Sequence, residues 1–258
     1  MDYVNAEQAR EMPGLRLVLH SGLPAPWSES AKGIMKAKGI SYVPVVRGVF
    51  GDQSVLEQWT GHKNAPVAMW ENEPARAGWA EILMLAERVK PEPALVPADM
   101  DTRVQVMGLS HLICGEQGFG WNRRQLMTRD LIAKGDAATD AERGIVRLIT
   151  KYGYTEEEAA VAPERVAAIL RHLAHRLHEQ EARGSSYFVG NNLTAVDIYW
   201  ACFAVLLDPP PAEVNPMPGM MRALYTNTDP VVAEATDPIL LKHRDFIYER
   251  YLGLPLDF

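Results

Sequence analysis

Residues 188–198 read Phe-Val-Gly-Asn-Asn-Leu-Thr-Ala-Val-Asp-Ile, and this stretch decides how the chain folds. Thr194 stands where a helix should begin, because its hydroxyl can accept a hydrogen bond from the N–H of Asp197. The Asp197 carboxylate can in turn accept one from the N–H of Thr194, which makes a capping box with Asp in place of Glu. Leu193 and Ile198 hold the two positions of a hydrophobic staple. The stretch therefore predicts a firmly fixed helix N-terminus.

The helix that follows is predicted to lie inside a helical domain. Ile198 to Leu207 is apolar on every side, which is typical of a buried helix. Upstream, apolar side chains recur at helical spacing and mark the buried face of another helix: Val166, Ile169, Leu170, Leu173 and Leu177. Nearly everything after Asp101 is patterned as helix, so we predict an all-helical C-terminal domain over residues 100–258.

A β-α-β pattern opens the chain. Leu15 to His20 is a β-rich run, and a helix is predicted to follow from Pro26, whose missing N–H costs nothing in a first turn. That helix should end at Gly39, a favourable residue just past a helix. Tyr42 to Val46 then forms a second strand, and the whole unit has the length of a parallel crossover.

A β-β-α pattern comes next. Ala65 to Trp70 is a strand opened by a proline, and the turn at 71–74 predicts a hairpin into a short edge strand. Residues 78–89 have the periodicity of an amphipathic helix. The proline-rich stretch from Lys90 to Pro97 marks a domain boundary, so the first domain is placed at residues 13–90.

Composition narrows the function classes. The chain has 258 residues, 47% apolar and 23% charged, the mix of a globular protein. Its net charge of −7 argues against a nucleic-acid partner, which needs clustered Lys and Arg. No stretch approaches the roughly 20 apolar residues that span a bilayer, and the N-terminus lacks an apolar signal segment. Cys114 and Cys202 read as free buried thiols rather than a disulfide, so we expect a cytoplasmic protein that does not engage a membrane.

The order β-α-β, β-β-α, linker and helices resembles the glutathione transferase superfamily. Three motifs are similar to those of that family: Pro26-Trp27-Ser28 at the first helix, Ala65-Pro66-Val67 at the third strand, and residues 188–198 in the helical domain. The resemblance is to bacterial members, with no class assigned and an atypical active-site motif. It implies an α/β plus all-α fold, in which a thioredoxin-like N-terminal domain precedes a C-terminal helical bundle. It also implies a cis peptide bond between Ala65 and Pro66.

The same resemblance implies a reaction and its partners. Family members bind glutathione as a co-substrate and activate its thiol near the start of the first helix, and the thiolate attacks a small-molecule electrophile. No metal is implied. Members usually form homodimers that pair the N-terminal domain of one chain with the helical domain of the other. In this chain the helix before Val89 and the helix after Asp101 would supply that surface.

The thiol-activating residue departs from the family's pattern. Counting back from the run Lys38 to Ile40, the family's Ser or Cys falls on Ala25, which has no donor group. Ser28 matches the second Cys of the family's Cys-Pro-aromatic-Cys start. Ser21 falls at the end of the first strand, where the tyrosine-using classes place their activating residue. We therefore predict Ser28 or Ser21 as the catalytic donor, the alternative for each being a local bond to the backbone.

Glutathione is expected along the third strand. The proline there would leave the backbone of Val67 unpaired, so that a peptide-like ligand could pair with it as an added strand. N–H groups of Gly78 and Trp79 at a helix start could receive a ligand carboxylate. The family's Glu-Ser pair is missing here, and Glu81 or Glu71 could supply its carboxylate. The residues predicted to bind glutathione are Trp27, Lys63, Asn64, Ala65, Pro66, Val67, Gly78 and Trp79.

The electrophile is expected near residues 118–124, which read Gly-Phe-Gly-Trp-Asn-Arg-Arg. An aromatic residue and two arginines beside glycines could bind an acidic or aromatic substrate, and the alternative is a helix kink with solvated arginines. The candidate contacts are His111, Cys114, Trp121 and Arg124. Three further histidines recur every third residue without acidic neighbours in a cluster, which favours a solvated face over a metal site: His172, His175 and His178.

Three functional hypotheses remain open from the sequence. The first is a glutathione transferase-like enzyme. The second is a non-catalytic binding protein that kept the fold, which Ala25 and the missing Glu-Ser pair favour. The third is an interaction module in a partner complex.

Overall fold

The computed structural model describes residues 1–48 and 52–258. The N-terminal part alternates strands and helices. Its elements are α1 (Ala6–Ala9), β1 (Leu15–His20), α2 (Pro26–Lys38), β2 (Val43–Arg47), α3 (Ser54–Thr60), β3 (Val67–Trp70) and α4 (Trp79–Val89). The predicted order of strands and helices is therefore present, with element ends shifted by one or two residues.

The strands form a sheet in the order β2-β1-β3, with β1 parallel to β2 and antiparallel to β3. The central strand β1 is buried on both faces, since Leu17 and Val18 are fully covered. The predicted hairpin is reduced to one isolated bridge, in which Ala68 exchanges two backbone hydrogen bonds of 2.8 and 3.0 Å with Arg76.

This bridge corrects the expectation for Val67. Backbone groups of successive residues in an antiparallel strand point to opposite sides. Because Ala68 bonds outward to Arg76, the groups of Val67 point toward its partner Val18 in β1. The backbone of Val67 is thus part of the sheet and is not open to a ligand. The open position is Ala65, on the other side of the Ala65–Pro66 bond, which is cis as expected.

The remainder of the chain is helical. Its elements are α5 (Met100–Cys114), α6 (Phe119–Ile132), α7 (Asp140–Thr150), α8 (Glu156–Ala182), α9 (Ala195–Phe203), α10 (Gly219–Tyr225), α11 (Pro230–Glu234) and α12 (Pro238–Ile247). Short 3-10 turns occupy Gly135–Ala137 and Ala204–Leu206, and a π-helical turn spans Tyr248–Leu252. Among the residues that the structure describes, no helix is both long and apolar enough to cross a bilayer.

Helix α9 is the centre of the molecule, because every one of its residues is buried. It packs against α5 and α12 in the helical domain and against α2 in the N-terminal domain. A Cβ atom at Gly33 of α2 would come within 2.9 Å of the Ile198 side chain, so the absence of a side chain lets the two helices approach closely. One continuous hydrophobic core consequently spans both domains.

The linker between the domains is held by Lys38, at the end of α2. Its ammonium group is fully buried and donates to the Glu87 carboxylate at 2.6 Å and to the Pro93 carbonyl at 2.7 Å. The same carboxylate accepts a bond of 3.0 Å from the N–H of Leu95. A buried charge is tolerated only when it is paired and hydrogen-bonded, and here the linker supplies part of that pairing.

Asp197 forms the predicted cap with one correction. Its carboxylate accepts hydrogen bonds from the N–H of Thr194 at 2.8 Å and from the N–H of Phe188 at 2.9 Å. The Thr194 hydroxyl also donates to this carboxylate at 2.8 Å, whereas the N–H of Asp197 bonds to the Thr194 carbonyl at 3.2 Å. The hydroxyl is therefore a donor to Asp197 and not an acceptor from it. His243 lies beside the same carboxylate, with Nε2 at 3.2 Å from Oδ1.

We expect Asp197→Ala to lower the free energy of unfolding by about 3–5 kcal/mol, because it leaves the buried N–H groups of Phe188 and Thr194 without their acceptor. Asp99→Ala is the matched control, since Asp99 caps α5 at an exposed position through the N–H of Thr102. That change should cost only about 1 kcal/mol. Urea unfolding measures both, and equal losses in the two variants would contradict this assignment to Asp197.

Candidate active site

A cavity of about 530 Å³ lies where the N-terminal domain meets the helical domain. Its volume is in the range of small-molecule sites. Many of the sequence-predicted residues line it, from both the expected glutathione side and the expected electrophile side: Trp27, Asn64, Ala65, Pro66, Gly78, Trp79, Cys114, Trp121 and Arg124. The fold thus brings together around one space residues as far apart in the chain as His20 and Tyr225.

Other predicted residues lie outside the cavity lining. Ser28 is fully buried, and its hydroxyl accepts a long hydrogen bond of 3.4 Å from the N–H of His20. Ser21 is a partly buried turn residue directly after β1. For Ser28, the geometry favours the local backbone role that the sequence left open.

Lys63 and His111 also point elsewhere. The ammonium of Lys63 is exposed and pairs with the Glu57 carboxylate at 3.1 Å. His111 is exposed on α5, with its ring centroid 6.3 Å from that of Trp79. Val67 is covered within the sheet, as described above.

The start of α2 forms one wall of the cavity. Ala25 occupies the N-cap position without a side-chain hydrogen bond, and Pro26 begins the helix. The Trp27 indole N–H donates to the Cys114 carbonyl at 3.0 Å, which ties α2 to the end of α5. A Cβ atom at Gly120 would lie 2.3 Å from Phe203 and 3.2 Å from Trp27, so only glycine permits this packing.

At the start of α4, a side chain of the helix itself, that of Glu81, accepts hydrogen bonds from the backbone. The N–H groups of Ala77 and Gly78 donate to the Glu81 carboxylate at 3.2 and 2.9 Å, and the bond from Gly78 is the largest of the causes that lower the pKa of Glu81. The ring of Trp79 stacks edge-on against Tyr199 at 5.5 Å. Of the two N–H groups predicted to bind a carboxylate, that of Trp79 is the one left without a partner among the described residues.

His20 lines the cavity, although the sequence interpretation did not select it. Its Nδ1 is buried and has no hydrogen-bond partner in the described part of the chain. Burial, together with the positive charges of Arg47 and Lys151, lowers the pKa of His20 to about 4, so the ring is neutral at pH 7. The signal that could have identified it is its place as the last residue of β1, one position before Ser21.

The two domains also meet across the cavity at Asn64. Its side-chain oxygen accepts hydrogen bonds from the Lys151 ammonium at 2.8 Å and from the Tyr152 hydroxyl at 3.1 Å. Both partners follow α7 directly in the chain. Asn64 therefore lies at the cavity, and its amide oxygen is engaged by the helical domain.

Arg124 lies among aromatic rings at this junction. Its guanidinium carbon is 5.0 Å from the ring centroid of Trp27, 4.4 Å from that of Trp121 and 4.5 Å from that of Tyr152. The neighbouring Arg123 is buried and bonds to the Leu206 carbonyl at 2.8 Å. The alternative of a kink with solvated arginines therefore fails for both, since one is buried and the other is stacked.

The cysteines are not suited to nucleophilic attack. The Cys114 thiol donates to the Ser110 carbonyl at 2.9 Å, and burial raises its pKa well above the ordinary range. Burial also raises the pKa of Cys202. A thiol must ionise to act as a nucleophile, so burial disfavours this role for both cysteines, and Cys114 forms part of the cavity wall.

No cluster of metal-binding side chains occurs among residues 1–48 and 52–258. His172, His175 and His178 are exposed along α8, as predicted for a solvated face. The Nε2 of His178 lies 2.9 Å from the Asp237 carboxylate, and the Nε2 of His175 lies 3.4 Å from that of Glu179.

The sequence matches no protein-family model and no curated protein. Solved structures are similar in fold at low identity. A glutathione S-transferase from Methylobacterium radiotolerans, in complex with glutathione sulfonate, has a TM-score of 0.62 at 16% identity, over 92% of this chain and 91% of that one. One from Methylobacillus flagellatus with glutathione bound has 0.61 at 12%, over 92% and 95%.

A beta-etherase, LigF, from Sphingobium has a TM-score of 0.55 at 17% identity, over 86% of this chain and 98% of that one. Likenesses at this level of identity establish architecture and not activity. The prediction of an α/β plus all-α fold is confirmed. This chain has the glutathione S-transferase fold, with a thioredoxin-like N-terminal domain and a C-terminal helical domain.

Proposed function

We propose that this chain is a glutathione transferase-like enzyme in which the thiolate of glutathione attacks a small electrophile. The observation that carries the proposal is the single cavity shared by Ala65 and Pro66, the start of α2 and an apolar wall from the helical domain. A thiol held between Ala65 and the start of α2 would face a hydrophobic space large enough for a second reactant. Holding both reactants in one space lowers the entropic part of the barrier.

Glutathione would bind along the edge that Ala65 leaves open. The backbone of Ala65 makes no hydrogen bond within the described residues, and a cysteinyl residue could pair with it as an added strand. A carboxylate of the ligand would take the free N–H of Trp79, beside the Gly78 helix start. Trp27, Asn64 and Pro66 would complete this side, while Lys63 and Val67 would not touch the ligand.

The thiol would be activated by His20 in place of the predicted serines. A free thiol has a pKa near 8.5 and is mostly protonated at pH 7, so a hydrogen-bond donor to the thiolate promotes ionisation. A neutral imidazole carries one N–H, and with that hydrogen on Nε2 the ring would donate to the sulfur. The N-terminal N–H groups of α2 would add to this stabilisation. Ser28, the donor that the sequence predicts, is kept as the alternative to His20, beside which its hydroxyl lies.

The electrophile would occupy the side of the cavity formed by the helical domain. Its walls there are largely apolar: Met127, Ile145, Leu148, Ile149 and Leu224. The sulfur would form a bond to the electrophilic carbon while the bond to the leaving group breaks and its electron pair departs. Trp121, Arg124 and Cys114 would contact this reactant, and His111 would not.

A non-catalytic binding protein is the second candidate. Two observations favour it: Ala25 offers no donor at the start of α2, and Glu81 already occupies the N–H groups at the start of α4. In this case the cavity would retain a ligand without thiol transfer. Activity measurements distinguish the two.

We expect calorimetry to detect glutathione binding and a panel of small electrophiles to reveal thiol transfer. His20→Phe should lower turnover by a factor of about 10²–10³, the typical effect of losing one hydrogen-bond donor to a catalytic anion, here the glutathione thiolate. Ser28→Ala is the matched comparison and should leave turnover within a few-fold of wild type. The reverse result, loss in Ser28→Ala alone, would support the serine. Absence of both binding and transfer in the wild type would reject the enzyme and favour the second candidate.

The pKa of His20 predicts a pH dependence of stability. Its folded-state value of about 4 lies below the ordinary value of 6.5, so the contribution of the neutral ring is complete above about pH 6.5 and is lost as the pH falls toward 4. Between pH 7 and pH 5, protonation of His20 should lower the free energy of unfolding by about 2 kcal/mol, and a variant without this histidine should not show that part of the decrease. Urea unfolding of His20→Phe at both pH values measures this, with His111→Gln as the control. Parallel losses in wild type and His20→Phe would refute it.

We further propose that the chain is a cytoplasmic homodimer that pairs α4 and α5 across a two-fold axis. Apolar side chains are exposed on these helices, with Met84 at 36%, Met100 at 67% and Val104 at 62%. Exposed apolar groups gathered on one surface favour association.

Light scattering at micromolar concentration should therefore give about twice the chain mass of 28.7 kDa. Val104→Arg should shift the protein to the monomer, because it places a charge in the apolar contact. Val161→Arg, an equally conspicuous change on α8, should not. A monomeric wild type would rule out this pairing.

A further inference from the structure

The guanidinium of Arg124 has neither a hydrogen-bond nor an ion-pair partner in the described part of the chain. It contacts ring faces instead, those of Trp27, Trp121 and Tyr152. Burial lowers the pKa of Arg124 to about 10, so the group stays charged at pH 7. The cavity thus contains a cation that is paired with no anion among residues 1–48 and 52–258.

The adjacent Arg123 makes the contrast clear. Its guanidinium bonds to the Leu206 carbonyl, to the Asn227 side chain at 3.0 Å and to the Tyr225 carbonyl at 3.4 Å. One residue further along α6, the residues that the structure describes offer Arg124 π faces and no acceptor. Aromatic ring faces attract a cation, but they do not accept conventional hydrogen bonds from the N–H groups of a guanidinium. The N–H groups of Arg124 are therefore available to donate hydrogen bonds to a ligand in the cavity.

The residues around Arg124 indicate the chemistry of the ligand that would fit there. Apolar side chains of α6 and α7 lie on the same side of the cavity, including Met127, Ile145 and Ile149. Glu116 also lines the cavity, but among the described residues no ion pair joins it to Arg124. A flat carboxylate matches the fork of a guanidinium, and an apolar body matches the remaining wall.

We propose that Arg124 binds the carboxylate of the second reactant, so that the substrates are small carboxylic acids with an apolar or aromatic body. This inference rests on the proposed transferase function for the identity of the reaction. The carboxylate is assigned to this reactant and not to glutathione because Arg124 lies on α6 and the two rings nearest to it, those of Trp121 and Tyr152, also belong to the helical domain, whereas the ring of Trp27 is farther away at 5.0 Å. The edge at Ala65 and the start of α4 both belong to the N-terminal domain.

The test measures binding to the full-length protein by calorimetry, with quenching of tryptophan fluorescence as a second signal. The probes are 4-phenylbutanoate and its neutral amide, 4-phenylbutanamide. Wild type should bind the acid about tenfold to a hundredfold more tightly than the amide, the range for a hydrogen bond to a charged group. Arg124→Gln should abolish that preference by weakening the acid alone.

Two variants serve as controls for this result. Arg124→Lys keeps the charge without the fork and should retain part of the preference. Arg129→Gln removes an arginine of the same helix that already pairs with Asp130 and Asp229, and it should retain all of it. Circular dichroism confirms that each variant is folded.

Several outcomes would overturn the inference. They are equal affinity of wild type for acid and amide, no binding of either probe, or an acid preference that survives in Arg124→Gln. A fall in glutathione affinity in Arg124→Gln, with the acid preference unchanged, would assign the arginine to glutathione instead. If wild type transfers no thiol but prefers the acid through Arg124, the transferase proposal fails while the carboxylate site stands.

Discussion

One buried carboxylate, that of Asp197, fixes the geometry on which the rest of the molecule depends. It gathers the N–H of Phe188, the N–H of Thr194 and the Thr194 hydroxyl at the start of α9. These groups are shielded from water, so the carboxylate is what satisfies them. With its start held in this way, α9 enters the core at a defined position and angle, and α2, α5 and α12 are packed around it.

The cavity is a product of that packing. Helix α2 belongs to the sheet domain, yet Gly33 brings it against Ile198, and Trp27 at its start bonds to the end of α5. The opposite side of the junction is connected through Asn64 to the residues after α7. The space between these contacts inherits a polar edge from one domain and an apolar wall from the other. A reaction between a peptide thiol and a hydrophobic compound requires surfaces of both kinds.

Much of this architecture could be predicted because its signals are local. The helix from Pro26, the cap at Thr194 and the proline before β3 each depend on a few adjacent residues. The candidate site was harder to predict, because the role of each polar group depends on which neighbouring residue it is hydrogen-bonded to. Ser28 could not be seen to face the backbone of His20, nor Val67 to pair with Val18, without the three-dimensional arrangement. The charge of Arg124 was visible in the sequence, whereas its position among three aromatic rings depends on residues from three separate segments.

The position of Lys38 has a consequence for how such a chain can change during evolution. Proline-rich connections between domains generally tolerate insertion and deletion, since their exposed backbone makes few contacts. In this chain the carbonyl of Pro93 and the N–H of Leu95 belong to the same buried network as Lys38 and Glu87. A change in connection length would leave an ammonium group stranded in the core. The segment is therefore under the same constraint as a core element, and descendants of this chain should vary its exposed side chains while keeping its length.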